Sequence, residues 1–93
     1  MKALIIVDVQ KDFCPGGKLP SPKGDEIISV INDLAKKIDV VVASKDAHPH
    51  ESKHFKNWPP HCIQGTDGAD FHPKLETSYI DKVFIKGTSV EDE

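Results

Sequence analysis

Ala3-Leu4-Ile5-Ile6-Val7 is an unbroken apolar run that stops at an aspartate, Asp8. A strand with one face in water alternates apolar and polar residues. An unbroken, largely β-branched run instead suits a strand buried on both faces of a parallel sheet. Parallel strands need a crossover between them, usually a helix, and the sequence supplies one. Gly24-Asp25-Glu26 opens a helix, with acidic residues in the first turn where the macrodipole favours them. Ile27, Ile31, Leu34 and Ile38 follow at i, i+4, i+7 and i+11, Ile28 and Ala35 widen the stripe, and Lys36-Lys37 mark the C-terminal turn. Val40 to Ser44 is the next strand. Strand, helix and strand form a βαβ unit, for which a right-handed crossover is expected. Ile80 to Lys86 carries a third strand with Val83-Phe84-Ile85 at its centre, followed by Gly87 and a polar, acidic tail, Thr88 to Glu93.

Two segments lack such periodicity. Gln10 to Pro20 reads as a loop, since Cys14-Pro15-Gly16-Gly17 is dense in breakers. Lys45 to Tyr79 is longer than loops in compact domains usually are, and a loop of that length usually carries function. Its first part, Ser44 to Cys62 counted from the serine before it, opens with Ser44-Lys45-Asp46-Ala47-His48 and holds four of the chain's five histidines: His48, His50, His54 and His61. Imidazole and carboxylate are the usual ligands of zinc, iron and manganese. Asp46 and His48 are two apart, so in extended chain both side chains leave the same face. His54 and His61 would return through turns stiffened by Pro49, Pro59 and Pro60. The alternative is a polar surface loop that is merely rich in histidine. His50 and His72 are expected to face solvent. In open parallel sheets, sites form outside the carboxyl ends of the strands. Here those ends place Asp8, the segment around Asp46 and Lys86 on one rim.

Composition narrows the classes. With 93 residues there is room for one small domain, and 38% hydrophobic and 29% charged residues suit a folded chain. A net charge of -3 gives no reason to expect nucleic acid or an anionic membrane as partner. No apolar stretch approaches the roughly 20 residues of a membrane span, and Met1-Lys2 before a short apolar run is not a signal peptide. Two cysteines, Cys14 and Cys62, are too few for a disulfide framework, so a cytoplasmic location is expected.

Six segments in order resemble the nicotinamidase/pyrazinamidase family of isochorismatase-like cysteine hydrolases. They are Val7-Asp8-Val9-Gln10-Lys11-Asp12-Phe13, Gly24-Asp25-Glu26, Lys45-Asp46-Ala47-His48, Trp58-Pro59-Pro60-His61-Cys62, Gly65-Thr66-Asp67-Gly68-Ala69-Asp70-Phe71 and Phe84-Ile85-Lys86-Gly87. The Trp58–Cys62 segment is specific to the nicotinamidase branch, while Ala47 stands where many relatives carry an aromatic residue. The resemblance implies a parallel-sheet, Rossmann-like three-layer α/β fold. Only its first half is expected in residues 1–93, as a single partial domain of strand, helix, strand, long metal loop and strand.

The resemblance also implies an activity: hydrolysis of nicotinamide or pyrazinamide through a cysteine thioester, in NAD salvage. By the same likeness, Asp8 is the general base and Lys86 steadies the thiolate and the developing charge. Asp46, His48, His54 and His61 hold a divalent ion (zinc, iron or manganese) that anchors the ring nitrogen. Phe13 and Trp58 wall the ring. A thiol needs a nearby base and cation to be an effective nucleophile near neutral pH. In relatives that thiol lies beyond the position of Lys86, on a helix after a fourth strand, and the sequence has no match to it. The chain therefore resembles the N-terminal half of such an enzyme, and is expected to be inactive alone. It should self-associate or need a separate C-terminal half. The alternative is a metal- and pyridine-binding half-domain. Cys14 lies on the same rim, but with no helix N-terminus to lower its pKa; Cys62 is expected to pack as a small apolar residue.

Overall fold

The computed structural model describes residues 1–92. Three parallel strands, β1 (Ala3–Val7), β2 (Val40–Asp46) and β3 (Lys82–Lys86), lie in the order β1-β2-β3. Helix α1 (Ile28–Ala35) makes the crossover from β1 to β2, preceded by a 3-10 turn at Gly24–Ile27. The expected helix start at Gly24 is thus the start of a tighter turn. Its cap, Lys23, is left-handed with φ 60°, and the α-helix proper begins four residues on. Between β2 and β3 the chain forms three 3-10 turns, Lys53–Lys56, Asp67–Ala69 and Thr77–Tyr79, but no longer element. Among the described residues no helix is long and apolar enough to cross a membrane.

The core lies on one face of the sheet. Ile6 of β1 and Val41 and Ala43 of β2 pack with Ile28 and Ala35 of α1, and with Val9 and Leu75. The helix meets the sheet through Ile28, Ile31 and Ala35, and Ile38, just past its end, packs beside them. Ile27 and Leu34, expected at the centre of the buried stripe, are instead exposed, and so is Val30. Apolar residues recur at helical spacing on two neighbouring stripes of α1, and periodicity alone cannot say which one meets the sheet.

The other face is uncovered. In register across the strands lie Ile5 beside Val42 and Lys82, then Val7 beside Ser44 and Phe84. Ile5 is 68% exposed, Val7 64% and Phe84 51%, whereas Ile6 on the opposite face is 2% exposed. The expectation that the first strand is buried on both faces therefore holds for one face only. β3 is exposed along its whole length. The run of apolar residues reflects two faces that both suit burial, of which the described residues cover one.

β2 also runs two residues further than expected, to Asp46, because Lys45 and Asp46 pair with Ile85 and Lys86. The acidic tail folds back onto the long loop: Lys53 N–H donates to the Val90 carbonyl, and Lys53 Nζ meets Glu91 Oε2 at 2.8 Å. Glu93 lies outside the described residues.

This asymmetry sets a contrast that denaturant titration can read. Ile6→Ala should lower unfolding free energy by about 2–5 kcal/mol, the usual loss for a large buried aliphatic. Ile5→Ala should cost less than about 1 kcal/mol in the dilute chain, as for an exposed residue. Equal costs would mean that both faces are covered.

Candidate metal and catalytic site

Asp8 follows β1 directly in a left-handed conformation, φ 53°, which aspartate tolerates better than most residues. Its backbone N–H still donates to the Ser44 carbonyl, so the turn begins while the chain is tied to β2. The carboxylate is held at both oxygens. Ser44 Oγ donates to Oδ1 at 2.8 Å, and Lys86 Nζ donates to Oδ2 at 2.8 Å. Lys86 also donates to Asp46 Oδ1 at 2.6 Å. Partial burial works against the Lys86 charge, but the hydrogen bonds it donates to Asp46 and Asp8 outweigh this and hold the ammonium above its ordinary range. Parallel pairing makes this bridge: Asp46 is in register with Lys86 on β3, and Asp8 is one step past the end of β1.

Beyond this bridge lies a histidine cluster. One ring nitrogen each of His48, His54 and His61 falls within 4.8 Å of the others. His48 and His61 are almost fully buried. The orientation of two rings follows from their partners. His48 Nδ1 lies 3.0 Å from the Gly87 carbonyl, and His61 Nδ1 lies 2.7 Å from the Pro59 carbonyl. A carbonyl only accepts, so in both rings Nδ1 carries the proton and Nε2 presents a lone pair. His48 Nε2 is buried with no hydrogen-bond partner among the described residues. A buried acceptor left this way costs free energy unless something else takes it, and a backbone-anchored imidazole with its other nitrogen free is the usual arrangement of a metal ligand.

Asp46 Oδ2 sits 3.6 Å from that same His48 nitrogen. Asp46 thus adjoins the three-histidine cluster without belonging to its tightest group, and its other oxygen is paired with Lys86. The donor set of imidazoles plus one carboxylate suits zinc, iron or manganese. Gly87 is required here. Its φ is 68°, and a Cβ would lie 2.7 Å from His48 Cε1.

The aromatic residues expected to wall a ring both touch the cluster. Phe13 lies 5.4 Å from His61 between ring centres, and Trp58 stacks on His54 at 6.1 Å. Phe13 and Asp8 line one cleft of about 270 Å³, open to solvent along Val7 and Ile27. Trp58 is half-exposed. A larger cleft of about 860 Å³ runs between Lys11–Lys18 and Pro59–Gly68; His61 lines it, but Asp8 and Lys86 do not. His50 is exposed, and His72 is half-buried with Nδ1 accepting from the Lys74 N–H.

Four further residues shape the site and carry no role in the sequence reading: Gln10, Asp12, Ser44 and Gly87. Gln10, Asp12 and Gly87 fall within the segments that carry the family resemblance, but no role attaches to them there, and Ser44 reads only as the end of a strand.

Both thiols are buried. Burial pushes the Cys14 thiol up, with Asp25 adding to it. Burial pushes the Cys62 thiol up to about 12, with the carboxylates of Asp12, Asp46 and Asp8 adding and Lys86 opposing. Cys62 packs as expected of a small apolar residue, with no exposed surface. Neither thiol is disposed to ionise near neutral pH, so both should resist a thiol-reactive disulfide at pH 8 and react at once in denaturant. The folded chain keeps the Cys62 proton that the unfolded chain gives up near 9.0. Stability should therefore fall as pH rises from about 9 towards 12, and a denaturant midpoint unchanged across that window in Cys14→Ser protein would contradict it.

Comparison with known proteins shows where the chain belongs. The chain is 52% identical to the nicotinamidase/pyrazinamidase of Mycobacterium tuberculosis, over 94% of this chain and 52% of that protein. A crystal structure of an L. infantum protein in complex with nicotinate superposes with a TM-score of 0.91 at 38% identity, over 96% of this chain and 48% of the other. The pyrazinamidase of Pyrococcus horikoshii in complex with zinc superposes with a TM-score of 0.86 at 39% identity, over 98% of this chain and 54% of the other. The chain spans about half the length of the curated relatives it matches. Residues 2–89 match the isochorismatase domain, and the chain belongs to the isochorismatase family, where it is similar to nicotinamidases and pyrazinamidases.

Proposed function

We propose that residues 1–93 form a single partial domain carrying the base, the cation and the metal ligands of a nicotinamidase/pyrazinamidase, which hydrolyses nicotinamide to nicotinate and ammonia. The observation that carries the reading is Lys86, whose ammonium bridges Asp8 and Asp46 beside the three-histidine cluster. A base, a fixed positive charge and metal donors thereby share one rim of the sheet. In this reading Asp8 takes the proton of the attacking thiol, and Lys86 steadies first the thiolate and then the charge that develops as the amide carbon is attacked. Ser44 fixes Asp8 so that its other oxygen stays with Lys86. Asp46, His48, His54 and His61 would hold a divalent ion, which supplies a Lewis-acidic anchor for the pyridine nitrogen. Phe13 and Trp58 would flank the ring.

The thiol is the part to be supplied. Cys14 and Cys62 are buried and held protonated, so neither suits the role. We infer that a segment matching the C-terminal half of the relatives carries it and covers the open face at Ile5, Val7 and Phe84. The same buried thiols favour a second reading, in which the chain alone binds metal and a pyridine ring without cleaving the amide.

Two measurements test this. Protein purified without chelator should contain one divalent ion per chain by elemental analysis, lose it to chelator, and regain it from zinc, iron(II) or manganese. No ion above background after all three would remove the metal. The chain alone should sediment as more than a monomer and release no ammonia from nicotinamide. Supplied with a C-terminal segment of a relative that carries the cysteine, it should become active, and Asp8→Asn or Lys86→Ala should then cost about 10²–10⁴-fold in kcat/KM. Turnover by the isolated chain that Cys14→Ser abolishes would assign the nucleophile to Cys14 instead.

A further inference from the structure

We propose that Gln10 is a positioning residue for the metal centre: its side chain takes the place of a missing strand residue and fixes Asp46. The inference rests on the metal reading above. β1 ends at Val7, but β2 continues to Asp46. On the β3 side the last residues of β2 are paired, with Asp46 opposite Lys86 and Ala47 N–H donating to the Lys86 carbonyl. On the β1 side no strand residue remains to pair with them. The Gln10 amide fills that place. Its Oε1 accepts from the Asp46 N–H at 2.9 Å, and its Nε2 donates to the Asp46 carbonyl at 2.7 Å. A second Nε2 bond, 2.7 Å to the Ala69 carbonyl, ties the pair to the long loop.

Gln10 has no exposed surface; its bond to Ala69 is buried and its two bonds to Asp46 are partly buried, so losing the amide would leave backbone groups poorly placed to find water instead. A primary amide is needed, because the site asks for one acceptor and two donors from the same group. A carboxylate supplies no donor and an aliphatic side chain supplies neither. With the Asp46 backbone fixed on both sides, its carboxylate can face Lys86 through Oδ1 and the His48 nitrogen through Oδ2.

Asp12 makes a second arm from the same segment. Its Oδ2 accepts from the Cys62 N–H at 2.7 Å, and Oδ1 accepts from the Lys18 N–H. Cys62 is left-handed, φ 49°, and directly follows His61. Gly68 makes room for the carboxylate, since a Cβ there would overlap it. The short segment leaving β1 thereby grips the backbone at two ligand positions that are fifteen residues apart in sequence, Asp46 and His61.

The test is a double-mutant cycle on cobalt(II) binding by the 93-residue chain, read from the visible absorption of the bound ion and from competition with a chromogenic chelator. Wild type should bind one cobalt ion. Gln10→Ala and the size-conserving Gln10→Glu should each weaken binding about 10–100-fold, as loss of an outer-shell partner usually does, and alter the absorption bands. Far-UV circular dichroism checks that each variant is folded. If Gln10 acts through Asp46, adding Gln10→Ala to Asp46→Ala should cost little more than Asp46→Ala alone. Asp12→Asn should weaken binding in the Asp46→Ala background as much as in wild type, because its arm reaches His61. A folded Gln10→Glu or Gln10→Ala protein that binds cobalt as wild type does, or a fully additive loss with Asp46→Ala, overturns the inference while leaving the metal centre intact. Failure of wild type to bind cobalt or zinc overturns the metal reading, and this inference with it.

Discussion

The ammonium of Lys86 lies between two carboxylates, one at the end of β2 and one just past the end of β1, and the site is arranged around that contact. Asp8 and Asp46 both project from the carboxyl rim of the sheet, where like charges would repel if nothing stood between them. Lys86 reaches both because β3 pairs with the far end of β2 rather than with its middle. The lysine side chain is half-exposed, so water screens the contact, and its contribution to stability is expected to be modest. Its weight is local. It keeps a cation beside a carboxylate that is also held by Ser44, and it fixes the direction of the Asp46 carboxylate next to the histidines.

The same sheet is finished on one face only. α1 and Leu75 cover Ile6, Val41 and Ala43, while Ile5, Val7 and Phe84 remain open on the other side. A parallel strand pair is normally covered on both faces, and an edge strand offers unpaired backbone groups to another chain. The cleft shared by Asp8 and Phe13 opens beside this bare surface, at Val7 and Ile27. In the proposed assembly, whatever covers the face would also close the cleft, so folding and site completion would be one event.

The sequence made some of this legible and hid the rest, for identifiable reasons. The three strands, the crossover helix and the placing of Asp8, Asp46 and Lys86 on one rim followed from apolar runs and the geometry of parallel sheets. The gathering of His48, His54 and His61 was suggested by their density in one loop. The buried side of α1 was not legible, because Ile27 and Leu34 fit a helical stripe as well as Ile28 and Ala35 do. Burial of one face of β1 looked like burial of two, since apolar residues that await a cover and those that have one are the same residues. The roles of Gln10, Asp12 and Gly87 were hidden for another reason. They act by bonding backbone from distant segments, and such partners leave no local pattern.

Asp46 is the residue at which the two parts of the site meet. Through Oδ1 it shares Lys86 with Asp8, and through Oδ2 it faces the unsatisfied nitrogen of His48. Its backbone is fixed by Gln10 on one side and by β3 on the other. A carboxylate in this position cannot shift towards the histidines without loosening Lys86, and cannot follow Lys86 without leaving the histidines. That constraint couples the groups that would activate a thiol to those that would anchor a ring. In the proposed reaction the distance between the attacked carbon and the ring nitrogen is fixed by the substrate, so the two parts of the site must be held at one separation. A rigid, shared aspartate sets that separation more tightly than two independent sites on a flexible loop could.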